Sequence, residues 1–163
     1  MTLIVQNAID PNFVNSLVTA TSSQTLSNKT IKTTKEKVTV VGAAPTSTTN
    51  FDVVTQAISV YNTSTNNFTL NVRGDATTTL ASLLAVGESI GITLLVPNGA
   101  TAYYMSSLTV DGVAQTPKYQ SGIAFAAGNA SSTDMYNIFI IRTGTTSPGV
   151  GTYQVYASQT KFA

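Results

Sequence analysis

The sequence predicts an all-β protein, an antiparallel β-sandwich or jelly roll, with an extended N-terminal arm that carries a short helix. Three observations lead to this prediction. From residue 51 onward, β-branched and aromatic residues recur in short runs that are separated by turn-forming residues. Several of these runs alternate apolar and polar residues, which is typical of strands with one buried face. Segments with helical spacing are too few for a parallel sheet built from strand–helix–strand units.

The N-terminal arm and linker cover residues 1–42, and the β-sandwich domain covers residues 43–163. Asp10 and Pro11 form a typical helix start, because aspartate caps a helix and proline fits its first turn. A helix over residues 11–18 is predicted from the apolar residues that follow at helical spacing, namely Phe13, Val14, Leu17 and Val18. A helix of two turns is marginal alone, so we expect this apolar face to need a partner surface.

Eight runs have the residue pattern of strands: 36–41, 51–61, 68–74, 89–97, 102–112, 113–119, 134–144 and 152–163. The second and third runs flank the turn-forming segment NTSTNN, which predicts that they form a hairpin. Residues 77–88 are an exception, because leucines at helical spacing between a threonine and a glycine predict a short helix. Period-two alternation predicts the inward-facing residues, which are Phe68, Leu70, Val72, Ile92, Leu94, Val96, Ile138 and Ile140.

The composition excludes several kinds of chemistry. The chain has no cysteine and no histidine, which excludes disulfides, zinc sites built on these residues, and Ser-His-Asp or Cys-His catalysis. Only 9% of the residues are charged, with a formal net charge of +1, so we expect no nucleic-acid partner. The longest apolar runs are too short to span a bilayer, and the first residues lack the pattern of a signal peptide. We therefore expect synthesis in the cytoplasm and no membrane insertion.

The acidic residues are dispersed along the sequence, at Asp10, Glu36, Asp52, Asp75, Glu88, Asp111 and Asp134. A glycosidase needs two carboxylates that face each other across a cleft, and calcium needs several oxygen ligands. Most of these acids have a local structural reason instead, such as the helix cap at Asp10 and the Asp-Gly turn at Asp111. We predict a protein that is not an enzyme and has no cofactor and no metal site. An enzyme such as a polysaccharide depolymerase is the alternative with the least support.

The tyrosines are the residues best suited to contact a ligand or another subunit, because a tyrosine combines a flat apolar ring with a polar hydroxyl. Tyr103 and Tyr104 are adjacent in a predicted strand, so one is expected to point inward and the other outward. They are the candidate ligand or interface contacts. Packing in the core and at its rim is the more common role of such residues.

Two parts of the sequence resemble virion proteins of tailed bacteriophages. QTLSNKTI (24–31) resembles the TLTNKTL linker motif of tail-fibre and related virion proteins. Residues 51–163 resemble a domain at the C-terminus of structural proteins of marine phages, especially cyanophages. The segments that carry this second resemblance are FDVVTQAISVY, FTLNVRG, VGESI, NGATAYYMSSLTVDG, TPKYQSG, GNASSTDMY and YASQTKFA.

The resemblance implies a non-enzymatic structural protein located in the virion, often a trimer, with other capsid or tail proteins as its partners. Fibres in this family usually have a long shaft, whereas here a short arm precedes the domain. We therefore expect an exposed capsid decoration or head-fibre protein that is anchored by its arm. The alternative is a short tail fibre or a lectin-like receptor-binding module, whose partner is a glycan of the host surface.

Overall fold

Ten strands, one short helix and one 3₁₀ turn make up residues 36–163, the part of the chain that the structure, a computed structural model, describes. The strands are β1 (Val38–Val40), β2 (Thr48–Asp52), β3 (Ile58–Val60), β4 (Phe68–Arg73), β5 (Ser89–Pro97), β6 (Met105–Val110), β7 (Val113–Gln115), β8 (Lys118–Tyr119), β9 (Thr133–Ser147) and β10 (Val150–Lys161). Helix α1 (Leu80–Leu83) lies between β4 and β5, and the 3₁₀ turn (Gln120–Gly122) follows β8. The predicted helix over 11–18 and its apolar residues Phe13, Val14, Leu17 and Val18 lie outside the described residues.

The strands form two sheets. Sheet A has six strands in the order β1-β3-β5-β9-β10-β8, and sheet B has four strands in the order β2-β4-β6-β7. Strand β1 lies within the range that the sequence assigns to the arm and linker, and it pairs with β3 at the edge of sheet A. The two sheets give the described part of the chain a sandwich-like, all-β architecture.

The sheets are mixed, which corrects the prediction of an antiparallel sandwich. Five of the eight strand pairings in residues 36–163 are parallel: β1–β3, β3–β5, β2–β4, β4–β6 and β8–β10. Parallel neighbours need a crossover connection, which is usually a helix. In the four parallel pairings among β1 to β6, the crossover is a strand of the other sheet, because the chain changes sheet after every strand from β1 to β6. Between β8 and β10 the intervening strand is β9 of the same sheet. The scarcity of helices is therefore compatible with parallel pairing, and the jelly roll, an antiparallel fold, is not confirmed.

The predicted hairpin between residues 51–61 and 68–74 is wrong. The first run is interrupted after Asp52, whose carbonyl accepts hydrogen bonds from the N–H groups of Thr55 and Gln56 at 3.1 and 3.2 Å. This turn divides the run between β2 in sheet B and β3 in sheet A, and β2 pairs in parallel with β4. The turn-forming segment between the two runs therefore carries the chain from one sheet to the other instead of reversing it within a sheet.

Other predicted elements are confirmed. Strand β5 covers the predicted run 89–97. The predicted Asp-Gly turn at Asp111 connects β6 and β7, which form a hairpin. Both turn residues have positive φ, 50° and 78°, which an Asp-Gly pair tolerates in a two-residue hairpin. Helix α1 lies inside the predicted helical segment, and its N-cap Thr79 accepts a hydrogen bond from the backbone N–H of Ser82 at 3.2 Å.

The inner faces of both sheets share one hydrophobic core. All eight residues that alternation places inside are buried, namely Phe68, Leu70, Val72, Ile92, Leu94, Val96, Ile138 and Ile140. They come from β4 in sheet B and from β5 and β9 in sheet A. Residues two apart along a strand point to the same side of the sheet. Because the residues above point into the core, the residues that alternate with them along each strand lie on the outer face of its sheet.

Leu94→Ala tests the core assignment. Leu94 is 0% exposed, so removing its side chain should lower the free energy of unfolding by about 2–5 kcal/mol, through lost burial and the cavity left behind. The matched control is Leu83→Ala, since Leu83 is 44% exposed and should lose no more than about 0.5 kcal/mol. Urea unfolding followed by circular dichroism measures both changes. Equal losses in the two variants would contradict the assignment.

Candidate functional site

A row of four residues crosses the outer face of sheet A. Strand register places Gly91 of β5 beside Phe139 of β9, Phe139 beside Tyr156 of β10, and Tyr156 beside Lys118 of β8. Phe139 and Tyr156 are 43% and 39% exposed, although aromatic rings of this size are usually more deeply buried. The row therefore presents two large rings side by side, with a glycine at one end and a lysine at the other.

A second, polar row runs parallel to the first. Thr93 pairs with Asn137, and Asn137 pairs with Ser158. Each of these residues lies two positions along its strand from a member of the first row, so the two rows are about 7 Å apart. The Thr93 hydroxyl donates to Asn137 Oδ1 at 2.9 Å, which leaves the amide NH₂ group of Asn137 directed away from Thr93. Within residues 36–163, that NH₂ group and the Ser158 hydroxyl have no protein hydrogen-bond partner, so both can bind a ligand.

Together the two rows line a groove of about 630 Å³, whose remaining lining includes Tyr119 and Gln120 beyond strand β10. Gly91 contributes to its openness, because a Cβ at this position would meet only the Phe139 ring at 3.8 Å. The groove is large enough for a small-molecule or oligosaccharide ligand. Its chemistry is that of a binding surface, with aromatic, amide and hydroxyl groups.

The groove wall is connected to the core through three aromatic rings. Tyr119 contacts Phe125 edge to face with ring centroids 4.9 Å apart, and Phe125 contacts Tyr136 in the same way at 5.2 Å. Such edge-to-face pairs are favourable beyond the apolar area that they bury. Burial raises the pKa of the Tyr119 hydroxyl above its usual value. The position of this wall therefore depends on the packing of the interior.

Among residues 36–163, those that line the groove include a lysine and no carboxylate. The Lys118 ammonium lies over the ring of Tyr156, with Nζ 5.4 Å from the centroid, which is a cation–π contact. A smaller depression of about 200 Å³ shares Gln120 and Ser158 with the groove and adds Lys161, again without an acidic residue in its lining. The lysine charges are therefore not neutralised by an acid within either depression.

A second polar cluster is buried and holds a loop. Asp134 is 0% exposed, and its Oδ2 accepts hydrogen bonds from Gln159 Nε2 at 2.8 Å and from the Tyr136 hydroxyl at 3.3 Å. Its Oδ1 has no hydrogen-bond partner in the described part of the chain. Gln159 also exchanges two hydrogen bonds with the backbone of Ala126, at 3.0 and 2.8 Å. These contacts tie the loop 123–132 to the end of sheet A, which is a structural role.

Tyr136 is the centre of this cluster. Its hydroxyl accepts a hydrogen bond from the backbone N–H of Met105 in sheet B at 3.1 Å and donates to Asp134. Burial raises the pKa of Tyr136 far above its usual value, and the Asp134 carboxylate adds to the increase. The hydroxyl therefore stays protonated and serves as a hydrogen-bonding group.

Three other carboxylates of the β domain hold local structure. Asp52 pairs with Arg73 at 2.7 Å, and Asp75 accepts hydrogen bonds from three groups of the following turn. Glu88 accepts a hydrogen bond from the N–H of Ala85. In residues 36–163, no group of three or more acidic residues lies close enough to hold a metal ion.

Asp111 connects helix α1 to the sheets. Its carboxylate accepts hydrogen bonds from the N–H groups of Leu80 and Ala81 at 2.7 and 3.1 Å, and from the Tyr153 hydroxyl at 3.3 Å. Burial, reinforced by the Asp111 charge, raises the pKa of Tyr153 to about 12. At the other end of the helix, the Arg142 guanidinium donates to carbonyls of α1. The helix thus has an anion at its N-terminus and a cation at its C-terminus, as its dipole favours.

Tyr103 and Tyr104 lie in the segment before β6 instead of in a strand, and neither lines the groove. The backbone N–H of Tyr103 donates to Asn98 Oδ1 at 3.1 Å, and that of Tyr104 donates to Asn67 Oδ1 at 3.0 Å. Both side chains are half-buried, and Tyr104 packs against the core. Their role as ligand or interface contacts stays a prediction.

Sequence reasoning did not select Phe139 and Tyr156, although the sequence contains a signal for them. In the run 134–144, the predicted inward positions Ile138 and Ile140 leave Phe139 on the opposite face. A large aromatic residue at an outward position of a strand with a buried face is a candidate ligand contact. Which outward-facing residues become neighbours depends on the order of the strands in the sheet. The residue pattern of a single strand does not indicate that order.

Comparisons of this chain with models of protein families, with curated proteins and with solved structures returned no match. The described residues contain no helix that is long and apolar enough to cross a membrane.

Gly128→Ala tests the buried cluster. A methyl group at residue 128 would overlap both carboxylate oxygens of Asp134, so the loop 123–132 must move away or the core must rearrange. We expect a loss of about 1–3 kcal/mol in unfolding free energy, typical of overpacking, and faster hydrogen exchange at the Ala126 amide. Gly42→Ala is the matched control, since a Cβ there meets nothing within 4 Å. Equal stability of the two variants would contradict the tight contact.

Proposed function

We propose that this protein is a non-enzymatic structural component of a tailed-phage virion, an exposed capsid decoration or head-fibre protein. The observation that carries the proposal is how the β domain uses its polar groups. Five of its carboxylates hold turns, a loop and a helix end, whereas its groove is built from aromatic, amide and hydroxyl groups. This arrangement supports a displayed binding or assembly surface. The resemblance to marine-phage virion proteins supports the virion as its location.

In this proposal the two parts of the chain have different tasks. Residues 43–163 form the displayed β-sandwich, and residues 1–42 anchor it to the particle. The apolar residues at helical spacing in the arm, Phe13, Val14, Leu17 and Val18, are the attachment contacts. The capsid or tail proteins that receive the arm are the partners, and the protein reaches the virion after synthesis in the host cytoplasm.

A second candidate function is a short tail fibre or a lectin-like receptor-binding module that contacts the host surface. The groove on the outer face of sheet A favours it, because two exposed aromatic rings lie beside free hydrogen-bonding groups. This combination suits the apolar faces and hydroxyl groups of sugars. The two functions differ in whether the displayed domain selects a ligand.

Substitution of all four proposed attachment residues by serine tests the anchor. We expect the variant to fold but to be missing from phage particles produced without the unmodified protein, because its apolar contact surface is lost. The matched control changes polar linker residues, Thr21→Ser with Ser23→Ala, and should be incorporated normally. Quantitative mass spectrometry of purified particles measures incorporation. Normal incorporation of the serine variant would contradict the anchoring role, and absence of the unmodified protein from particles would contradict the virion assignment itself.

A homotrimer is part of the proposal. At 9% charged residues, the surface has few charges to prevent association of sheet edges. The edge strand β1 exposes Val38 and Val40, and closed cyclic symmetry would bury such positions without continued polymerisation. The resemblance to trimeric virion proteins supports three copies.

Light scattering on the purified full-length chain tests the trimer. We expect a mass three times that of the 17.0 kDa chain, and Val40→Lys should lower the mass because it places a charge in the buried contact. Val113→Lys, an equivalent change on the edge strand β7 of sheet B, is the control and should leave the mass unchanged. A monomer at micromolar concentration and physiological salt would contradict the prediction.

A further inference from the structure

We propose that the groove on the outer face of sheet A binds an acidic oligosaccharide, with a uronic acid unit stacked on Phe139 and Tyr156 and its carboxylate at Lys118. This inference rests on the second candidate function and names its ligand class. It concerns the folded protein in solution, so it does not depend on the position of the protein in the virion.

The aromatic row provides the stacking surface. Phe139 and Tyr156 are direct cross-strand partners, so their side chains leave the sheet side by side, at the strand spacing of about 4.8 Å. A pyranose ring has apolar C–H faces and polar edges, and the apolar face of one unit fits over such rings. Gly91 leaves the approach to Phe139 open, because it has no side chain.

The polar row provides the hydrogen bonds that a sugar requires. Asn137 offers its amide NH₂ group, since its Oδ1 is already occupied by Thr93. Ser158 offers a hydroxyl that can donate or accept, and Gln120 adds an exposed amide at the wall. These groups lie about 7 Å from the aromatic row along the strands, where they can meet the hydroxyl groups at the edge of a stacked sugar.

The charge of the groove selects an acidic sugar over a neutral one. The Lys118 ammonium lies over Tyr156, and the lining of the groove contains no acidic residue to neutralise it. The adjoining depression, as lined by the described residues, adds Lys161 and likewise no acid, and the Lys161 ammonium donates to the Ala127 carbonyl at 2.8 Å. A ligand carboxylate at Lys118 would form a charge-assisted hydrogen bond.

A second copy of this chain is a less suitable occupant of the groove. The contact of the proposed trimer lies at edge strand β1, at the opposite edge of sheet A from β8 with Lys118. A two-fold contact through the groove would use the same surface on both copies and would bring two uncompensated Lys118 side chains into one interface. Like charges in a contact of this kind are unfavourable. The open polar row would also need partners that an identical flat sheet face does not supply.

Calorimetric titration of the full-length protein with a tetramer of galacturonic acid tests the proposal. We expect binding that weakens with added salt, and about tenfold weaker binding to the methyl ester of the same tetramer, which keeps the rings and loses the charge. Lys118→Gln should weaken binding of the acid form by about tenfold and leave binding of the ester unchanged. Phe139→Ala should weaken binding of both forms.

Gly91→Val separates groove binding from changes in stability. Valine suits a strand, and the Cβ of residue 91 makes only an ordinary contact with Phe139, so this variant should keep the fold while its side chain narrows the groove. We expect at least tenfold weaker binding of both ligands. Val113→Ala, on the exposed edge of sheet B, is the control and should bind as the unmodified protein does.

Three results would overturn the inference. They are absence of binding to the acid tetramer at millimolar concentration, equal affinity for acid and ester, and unchanged binding in Gly91→Val and Phe139→Ala. A lower mass of Gly91→Val in light scattering would instead identify the groove as a subunit contact and would also overturn it. None of these results bears on incorporation into the particle, which the arm variant measures separately.

Discussion

The buried side chain of Tyr136 joins parts of the molecule that are far apart in the chain. Its ring contacts Phe68 of sheet B edge to face, with centroids 6.2 Å apart, and Phe125 of the loop 123–132 at 5.2 Å. Its hydroxyl connects the backbone of Met105 in sheet B to the carboxylate of Asp134 in sheet A. The two sheets and the loop are thus fixed relative to one another by a residue whose ring is apolar and whose hydroxyl is fully engaged.

The outer groove depends on this interior contact. Phe125 connects Tyr136 to Tyr119, and Tyr119 lines the groove. A change in the packing around Tyr136 would therefore reach the ligand-binding surface through two ring contacts. The groove floor is less sensitive, because regular pairing between β5, β9 and β10 positions it. The site thus combines a rigid floor with a wall whose position is set by the core.

Local pattern was enough to predict most of the strand-forming runs and the inner faces of β4, β5 and β9, but not the arrangement of the sheets. Phe68 and Leu94 were assigned correctly because alternation is a property of each strand alone. The pairing of β2 with β4 depends on the turn after Asp52, which divides a continuous β-branched run between two sheets. The groove was missed for the same reason, since Phe139 and Tyr156 become neighbours only through the pairing of β9 with β10.

The alternation of the first six strands between two sheets has a consequence for how the chain folds. Each of the first five strands pairs only with strands that lie at least two positions away in sequence, so none of these five forms a local hairpin with its successor. The longest local pairing is the β9–β10 ribbon, which turns at Pro148 and Gly149 near the C-terminus. During synthesis from the N-terminus, the pairing of β5 with β9 and of β9 with β10 must wait until residues 133–161 have left the ribosome. Until then, the edge of β5 that pairs with β9 stays unpaired in the nascent chain. A low content of aggregation-prone surface in that interval therefore matters more here than in a protein built from successive hairpins.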